Sequence, residues 1–233
     1  MTTAAAVTPA ASPQLVRTVL TRFAAAPLVL MAIFLLPAGT WRYWEAWLFT
    51  GVVCVPMGFA VAYLLKNAPD LLERRMQLRE KEERQRRIVS VSLLFVLLTY
   101  GLPGIDHRFG WSNVPLPVVL AANALVLAGY VWTLLVFREN HYASRLVEVT
   151  AGQKVIDSGP YALVRHPMYV GVLAMYLASP IALGSWWAFP FALPTIWVIG
   201  ARIAGEEQLL LRDLPGYADY RDRVRYRLIP GVW

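Results

Sequence analysis

The chain has 233 residues, 58% of them hydrophobic, and a formal net charge of +7, with a mean hydropathy of +0.48. That apolarity excludes an ordinary soluble domain and identifies a membrane protein. The only cysteine, Cys54, lies inside an apolar run, so there is no internal disulfide and no thiol metal site.

Residues 1–13 carry no charge and are rich in Ala, Thr and Pro, which predicts a flexible tail. Arg17 and Arg22 then precede a full-length apolar run rather than the short core of a cleaved signal peptide, so a retained first span is expected. Apolar runs follow at 20–37, 46–65, 88–104, 116–137, 168–183 and 186–204. As helices they reach roughly 24 to 33 Å, against a hydrocarbon core of about 30 Å. The pattern predicts an all-α, polytopic integral membrane protein of about six apolar helices, with five to six full spans. The fifth run, which contains Pro180, is the shortest.

With six spans the loops alternate sides. All of the 22 Lys and Arg residues except Arg42 and Arg108 then fall on the side of the amino terminus. The positive-inside rule places both termini in the cytoplasm, as in an inner or cytoplasmic membrane. The basic residues border spans and no recognition motif accompanies them, so they point to anionic lipid rather than nucleic acid.

Between spans two and three, residues 67–87 put Asp70 early and Arg84, Arg86 and Arg87 late, as the helix dipole prefers. With Leu71, Leu72, Met76 and Leu78 the segment reads as a juxtamembrane amphipathic helix. No repeat of transporter type is visible. No run holds a charge near its midpoint, unlike ion pumps, and Asn123 at depth reads as interhelical glue. Residues 14–137 are thus expected to form a four-helix scaffold, with the polar chemistry in residues 138–233. The polar stretch that includes Asn140, His141, Tyr142, Gln153 and Lys154 is too polar to span and could form a lid.

The most informative residues are 159–171. Gly159-Pro160-Tyr161 reads as a turn, Arg165-His166 as a basic loop and Pro167 as a helix start, because proline lacks the N–H that goes unpaired in a first turn. His166 falls around the N-cap, where the dipole and free N–H groups favour a carboxylate or phosphate, and Arg165 adds a fixed cation. The last apolar run ends in Arg202, Glu206 and Glu207, acids at the helix end that disfavours them. Either Arg202 and Arg212 compensate them structurally, or one carboxylate holds an ammonium group. A cationic helix entrance facing an anionic helix exit suits a zwitterionic ligand. Tyr161, Tyr169, Tyr217 and Tyr220, with Gly159, Gly171 and Gly216 beside them, could accommodate a planar ring. His107, His141 and His166 are not at ligand spacing, so no metal site is expected.

These residues resemble the isoprenylcysteine carboxyl methyltransferase and phospholipid methyltransferase families of membrane enzymes. The resemblance rests on the Gly159-Pro160-Tyr161 turn, Arg165-His166-Pro167 with Tyr169 and Gly171, Arg202 with Glu206-Glu207, and the tail Gly216-Tyr217, Tyr220, Val224 and Pro230. It implies S-adenosyl-L-methionine as cofactor, reaching a C-terminal cytoplasmic binding segment, and a lipophilic methyl acceptor arriving from the bilayer. Tyr161, His166, Tyr169, Glu206 and Glu207 would line the cofactor site. Arg202 could orient a carboxylate acceptor, while a thiol, hydroxyl or amine would need a base, for which His166 or Glu207 are candidates. The acceptor is left open. The competing expectations are a membrane sterol-type reductase using NADPH and a non-catalytic membrane scaffold.

Overall fold

The computed structural model describes residues 12–76, 83–140, 142–143, 149 and 152–233. Most of the expected tail lies outside the described residues, as do Leu78 and His141. The helices are α1 (Pro13–Ala38), α2 (Trp44–Asn67), α3 (Pro69–Met76), α4 (Glu83–Phe109), α5 (Leu116–Glu139), α6 (Pro167–Ala182), α7 (Phe189–Ala192), α8 (Pro194–Asp213) and α9 (Tyr217–Arg223), with a 3-10 turn at Gly159–Ala162. No strand occurs among the described residues. α1 begins ahead of its apolar run because Ser12 caps it: its hydroxyl accepts from the Leu15 N–H at 3.2 Å, and Pro13 occupies the first turn.

This is an all-α integral membrane protein. α1, α2 and α5 are long and apolar enough to cross a membrane, while α6 is apolar but has 16 residues, about 24 Å of rise. The 88–104 run lies within the 27-residue α4. The expected last span, 186–204, is not one helix. Pro190 and Pro194 divide it into the four-residue α7 and α8, and α8 continues through its charged residues to Asp213. Five to six full spans therefore reduce to three clear ones and a shorter apolar helix.

Of the segment expected as one juxtamembrane helix over 67–87, residues 69–76 form α3 and 83–87 belong to α4, while 77–82 lie outside the described residues. Leu71 and Leu72 are buried with Leu15, Val19, Leu64 and Phe137, so α3 is docked on the bundle rather than lying loose on its surface. Arg75 fastens it, stacking 4.2 Å from the Phe137 ring centre and donating to the Ala143 carbonyl at 2.9 Å.

Two apolar clusters define the ends of the molecule. One joins the start of α1, the end of α2, α3 and the end of α5, with Met168 of α6 packed on it. The other joins the end of α1, the start of α2, the first half of α5 and the end of α6. Short loops at this second end are cross-tied. The Tyr43 hydroxyl donates to the Leu183 carbonyl at 2.5 Å. Buried Asp106 accepts from the Ser112 N–H at 2.7 Å, from the Ser112 hydroxyl at 2.6 Å and from the Ser185 hydroxyl. Asn123 donates to the Ala182 carbonyl at 3.1 Å, linking α5 to the end of α6 as glue.

α5 and α6 run side by side in close contact. A side chain on Gly171 would collide with Thr133 Oγ1 and lie 2.8 Å from the Gly129 carbonyl oxygen; one on Gly129 would lie 2.9 Å from the Gly171 carbonyl. Gly171 is therefore a helix-packing residue and does not face a ligand. Gly171→Ala should lower unfolding stability by about 1–3 kcal/mol through overpacking. A thermal melt in detergent checks this, and an unchanged midpoint would show that the seam is looser than this geometry.

Candidate functional site

The site is built at the end where α5 stops, α6 starts and α8 leaves its apolar stretch. Gly159 opens the 3-10 turn with φ of +56°, where a side chain would meet the Glu139 carboxyl at 3.0 Å. It shapes the turn that carries Tyr161 and does not itself line a cavity. Asn140, the residue after α5, donates to the Tyr161 hydroxyl at 2.8 Å, and Tyr220 of α9 donates to the Tyr161 carbonyl at 2.9 Å. Pro167 starts α6 as expected, and its carbonyl is held by the Trp132 indole N–H of α5 at 2.7 Å.

The preceding loop is clamped by the segment after α9. The N–H groups of Arg165 and His166 donate to the Tyr226 and Arg227 carbonyls, both at 2.9 Å. The Arg165 guanidinium donates through Nη1 to the Val224 and Arg225 carbonyls at 2.8 and 2.7 Å, and through Nε to Glu207 Oε1 at 2.7 Å. His166 Nε2 lies 3.3 Å from the same oxygen, and Arg227 reaches Glu207 Oε2 through Nε at 3.0 Å and Nη2 at 2.9 Å. Arg165, His166 and Glu207 are all buried.

The cationic entrance and anionic exit thus meet at the same end of the molecule, but in direct contact. Burial alone would raise the Glu207 carboxyl; hydrogen bonds from His166, Arg227 and Arg165 outweigh it and hold the group down at about 2. Glu207 is consequently a hub of ion pairs. Arg227 was not singled out from the sequence. Arg223 ends α9 and Arg225 is exposed, and only the fold shows that Arg227 reaches inward.

Glu206 has a different environment. It is about a quarter exposed, accepts from the Tyr169 hydroxyl at 3.0 Å and sits 4.0 Å from His166 Nδ1. Arg202, one turn earlier, hydrogen-bonds the same Tyr169 hydroxyl.

These residues border an open cleft of about 780 Å³, the solvent at its mouth included. Of the residues predicted to hold a ligand, Tyr161, Arg165, His166, Tyr169, Glu206, Tyr217 and Tyr220 line it; Gly159, Gly171, Arg202 and Glu207 do not. Asn140, Tyr142, Gln153, Lys154, Val155 and Ile156, described residues of the polar stretch after α5, also line it. Burial pushes the hydroxyls of Tyr161, Tyr217 and Tyr220 well above the usual tyrosine range, so all three stay protonated. The Tyr217 hydroxyl is buried without a hydrogen-bond partner, a cost that a bound polar ligand would relieve. Among the described residues no group of three or more His, Cys, Asp or Glu could hold a metal ion.

Glu207→Ala should destabilise the protein by about 3–5 kcal/mol, because it strands the buried Arg165 charge. The wild-type carboxyl stabilises fully above the unfolded value of about 4.3, and that contribution is lost as pH falls from about 5 towards 2. Glu207→Gln should flatten this acid limb in a pH series of thermal melts; an unchanged limb would place the acid transition elsewhere.

Residues 118–214 match the phospholipid methyltransferase family. Among curated proteins, a mouse Delta(14)-sterol reductase TM7SF2 is 30% identical over 90 residues, 37% of this chain and 22% of that one. The nickel-cobalt-cadmium resistance protein NccN of Alcaligenes xylosoxydans xylosoxydans is 26% identical over 137 residues, 51% of this chain and 62% of that one. The chain therefore spans only part of the length of either relative. Among solved structures, the eukaryotic intramembrane Ras methyltransferase ICMT (isoprenylcysteine carboxyl methyltransferase) superposes with a TM-score of 0.53 and 21% identity, over 90% of this chain and 75% of that one. Residues 118–214, which carry most of α5, the α6 entrance and Glu206-Glu207, are thus similar to the phospholipid methyltransferase family, in a fold like that of the Ras methyltransferase.

Proposed function

We propose that the protein is a membrane-embedded methyltransferase that uses S-adenosyl-L-methionine and methylates a lipophilic acceptor drawn from the bilayer. The observation that carries this reading is the cleft beside the α6 entrance, with one carboxylate exposed to it, cations on its wall and a buried unpartnered hydroxyl. It is supported by the family match over the same residues.

The cofactor fits these residues by chemistry. Glu206 is the acid that faces the cleft, so it takes the ammonium of the methionine moiety, with Tyr169 holding one of its oxygens in place. Arg165 and Lys154 line the wall for the carboxylate. Tyr161, Tyr217 and Tyr220 offer flat faces to the purine, and the Tyr217 hydroxyl gains the partner it otherwise lacks. When bound, the cofactor supplies a methyl group on a positively charged sulfur, already a good donor.

What remains for the chain is positioning and the exclusion of water. The Glu207 hub fixes the α6 entrance against α8, and Asn140, Tyr142 and residues 153–156 line the cleft. Arg202 lies one turn nearer the bilayer than Glu206, where it orients an acceptor carboxylate entering from the apolar side. A thiol, hydroxyl or amine acceptor leaves His166 as the base, because Glu207 is held ionised by its cations. The orientation proposed is the site end in the cytoplasm, in keeping with the distribution of Lys and Arg.

Calorimetry in detergent should show S-adenosyl-L-methionine binding that weakens by about tenfold or more in Glu206→Gln, the cost of a lost charge-assisted hydrogen bond. Tyr217→Phe should bind with unchanged or improved fold stability and a severalfold loss of affinity. Full affinity in both variants removes this assignment. The similarity to the mouse sterol reductase keeps NADPH as the second ligand to compare: a thermal shift with NADPH and none with S-adenosyl-L-methionine would favour the reductase reading.

A further inference from the structure

The segment after α9 follows a course that the sequence does not suggest. Leu228 is buried together with Tyr169, Ile199 and Ile203, in the gap between α6 and α8. Ile199 lies three residues ahead of Arg202, about 4.5 Å further along the helix axis into the apolar part of α8. The Trp233 ring rests over Gly200 on the same helix, 3.8 Å from where a side chain would begin. A three-fold set of N–H bonds, from Arg227, Leu228 and Ile229 to the Trp233 main-chain oxygen at 3.0 to 3.1 Å, folds the segment into a compact hook.

The hook's other face is apolar and uncovered: Ile229 is 53% exposed, Val232 76% and Trp233 41%. It is continuous with the outer face of α8, where Ile196 and Trp197 are also exposed. Arg225, just before the hook, is exposed. Apolar residues at membrane depth, an aromatic residue and a flanking arginine make an interfacial anchor for a lipid leaflet.

We propose that residues 226–233 are seated in the leaflet at the site end of the molecule, and that lipid contact there holds the Arg227 guanidinium on Glu207 and the Tyr226 and Arg227 carbonyls on the Arg165-His166 loop. The bilayer thereby takes part in forming the site, through a segment outside the membrane-spanning helices. The depth of the hook stands on packing and exposure; its effect on the cleft rests on the proposed cofactor reading.

The test has two arms. In full-length Cys54→Ala/Val232→Cys protein, an environment-sensitive fluorophore on residue 232 is read in phosphatidylcholine vesicles containing phosphatidylglycerol. Nitroxide carried on a lipid chain near the headgroup should quench it strongly and aqueous iodide weakly. Dominant iodide quenching would put the hook in water, and resistance to both quenchers would bury it against protein, such as a second copy; either result overturns the anchor. In the second arm, Ile229→Glu/Val232→Glu should bind S-adenosyl-L-methionine about tenfold more weakly in the same vesicles. Wild-type affinity in that variant overturns the coupling to the site. Absence of cofactor binding in the wild type defeats the functional reading and leaves the depth measurement to decide the anchor.

Discussion

The end of the molecule that carries the cleft depends on one buried carboxylate. Glu207 draws the loop before α6, the end of α8 and the segment after α9 to a single point, through Arg165, His166 and Arg227. A buried arginine is costly to leave alone and a buried glutamate equally so, so each makes the other's position obligatory. Because Arg165 also occupies the Val224 and Arg225 carbonyls, the same side chain satisfies backbone groups that have no helix or strand to pair with. Electrostatics here do the work that apolar packing does elsewhere in the bundle.

Two adjacent glutamates acquire opposite characters through helix geometry alone. A rotation of about 100° per residue turns Glu207 inward to Arg165, Arg227 and His166 and leaves Glu206 on the cleft with a tyrosine and the more distant side of the same histidine. The pair is informative because neither residue could take both roles. A carboxylate saturated by guanidinium groups cannot hold a ligand's ammonium, and one open to a cleft cannot brace three segments.

Much of this was legible in the sequence because the signals are local. Proline at 167 starts α6, apolar length marks α1, α2 and α5, and the Arg165-His166 and Glu206-Glu207 pairs do meet. The misreadings share a cause: composition does not report where a helix breaks or what a side chain touches. The 186–204 run has the apolarity of a span but two prolines that divide it. Gly171 sits in a motif with ligand-like neighbours, yet its missing side chain serves the α5–α6 seam. The opposed charges suggested an open, bipolar pocket, whereas burial made two of its four members neutralise each other. Arg227 was hidden because its role depends on a chain reversal with no pattern of its own.

The loops at the far end have a mechanical corollary. Tyr43, Asp106 and Asn123 tie three turns and a helix terminus together with short hydrogen bonds, while the cleft end is held by the side-chain charges around Glu207. Acid strong enough to protonate Glu207 therefore loosens the cleft end while leaving the Tyr43 and Asn123 ties at the far end intact.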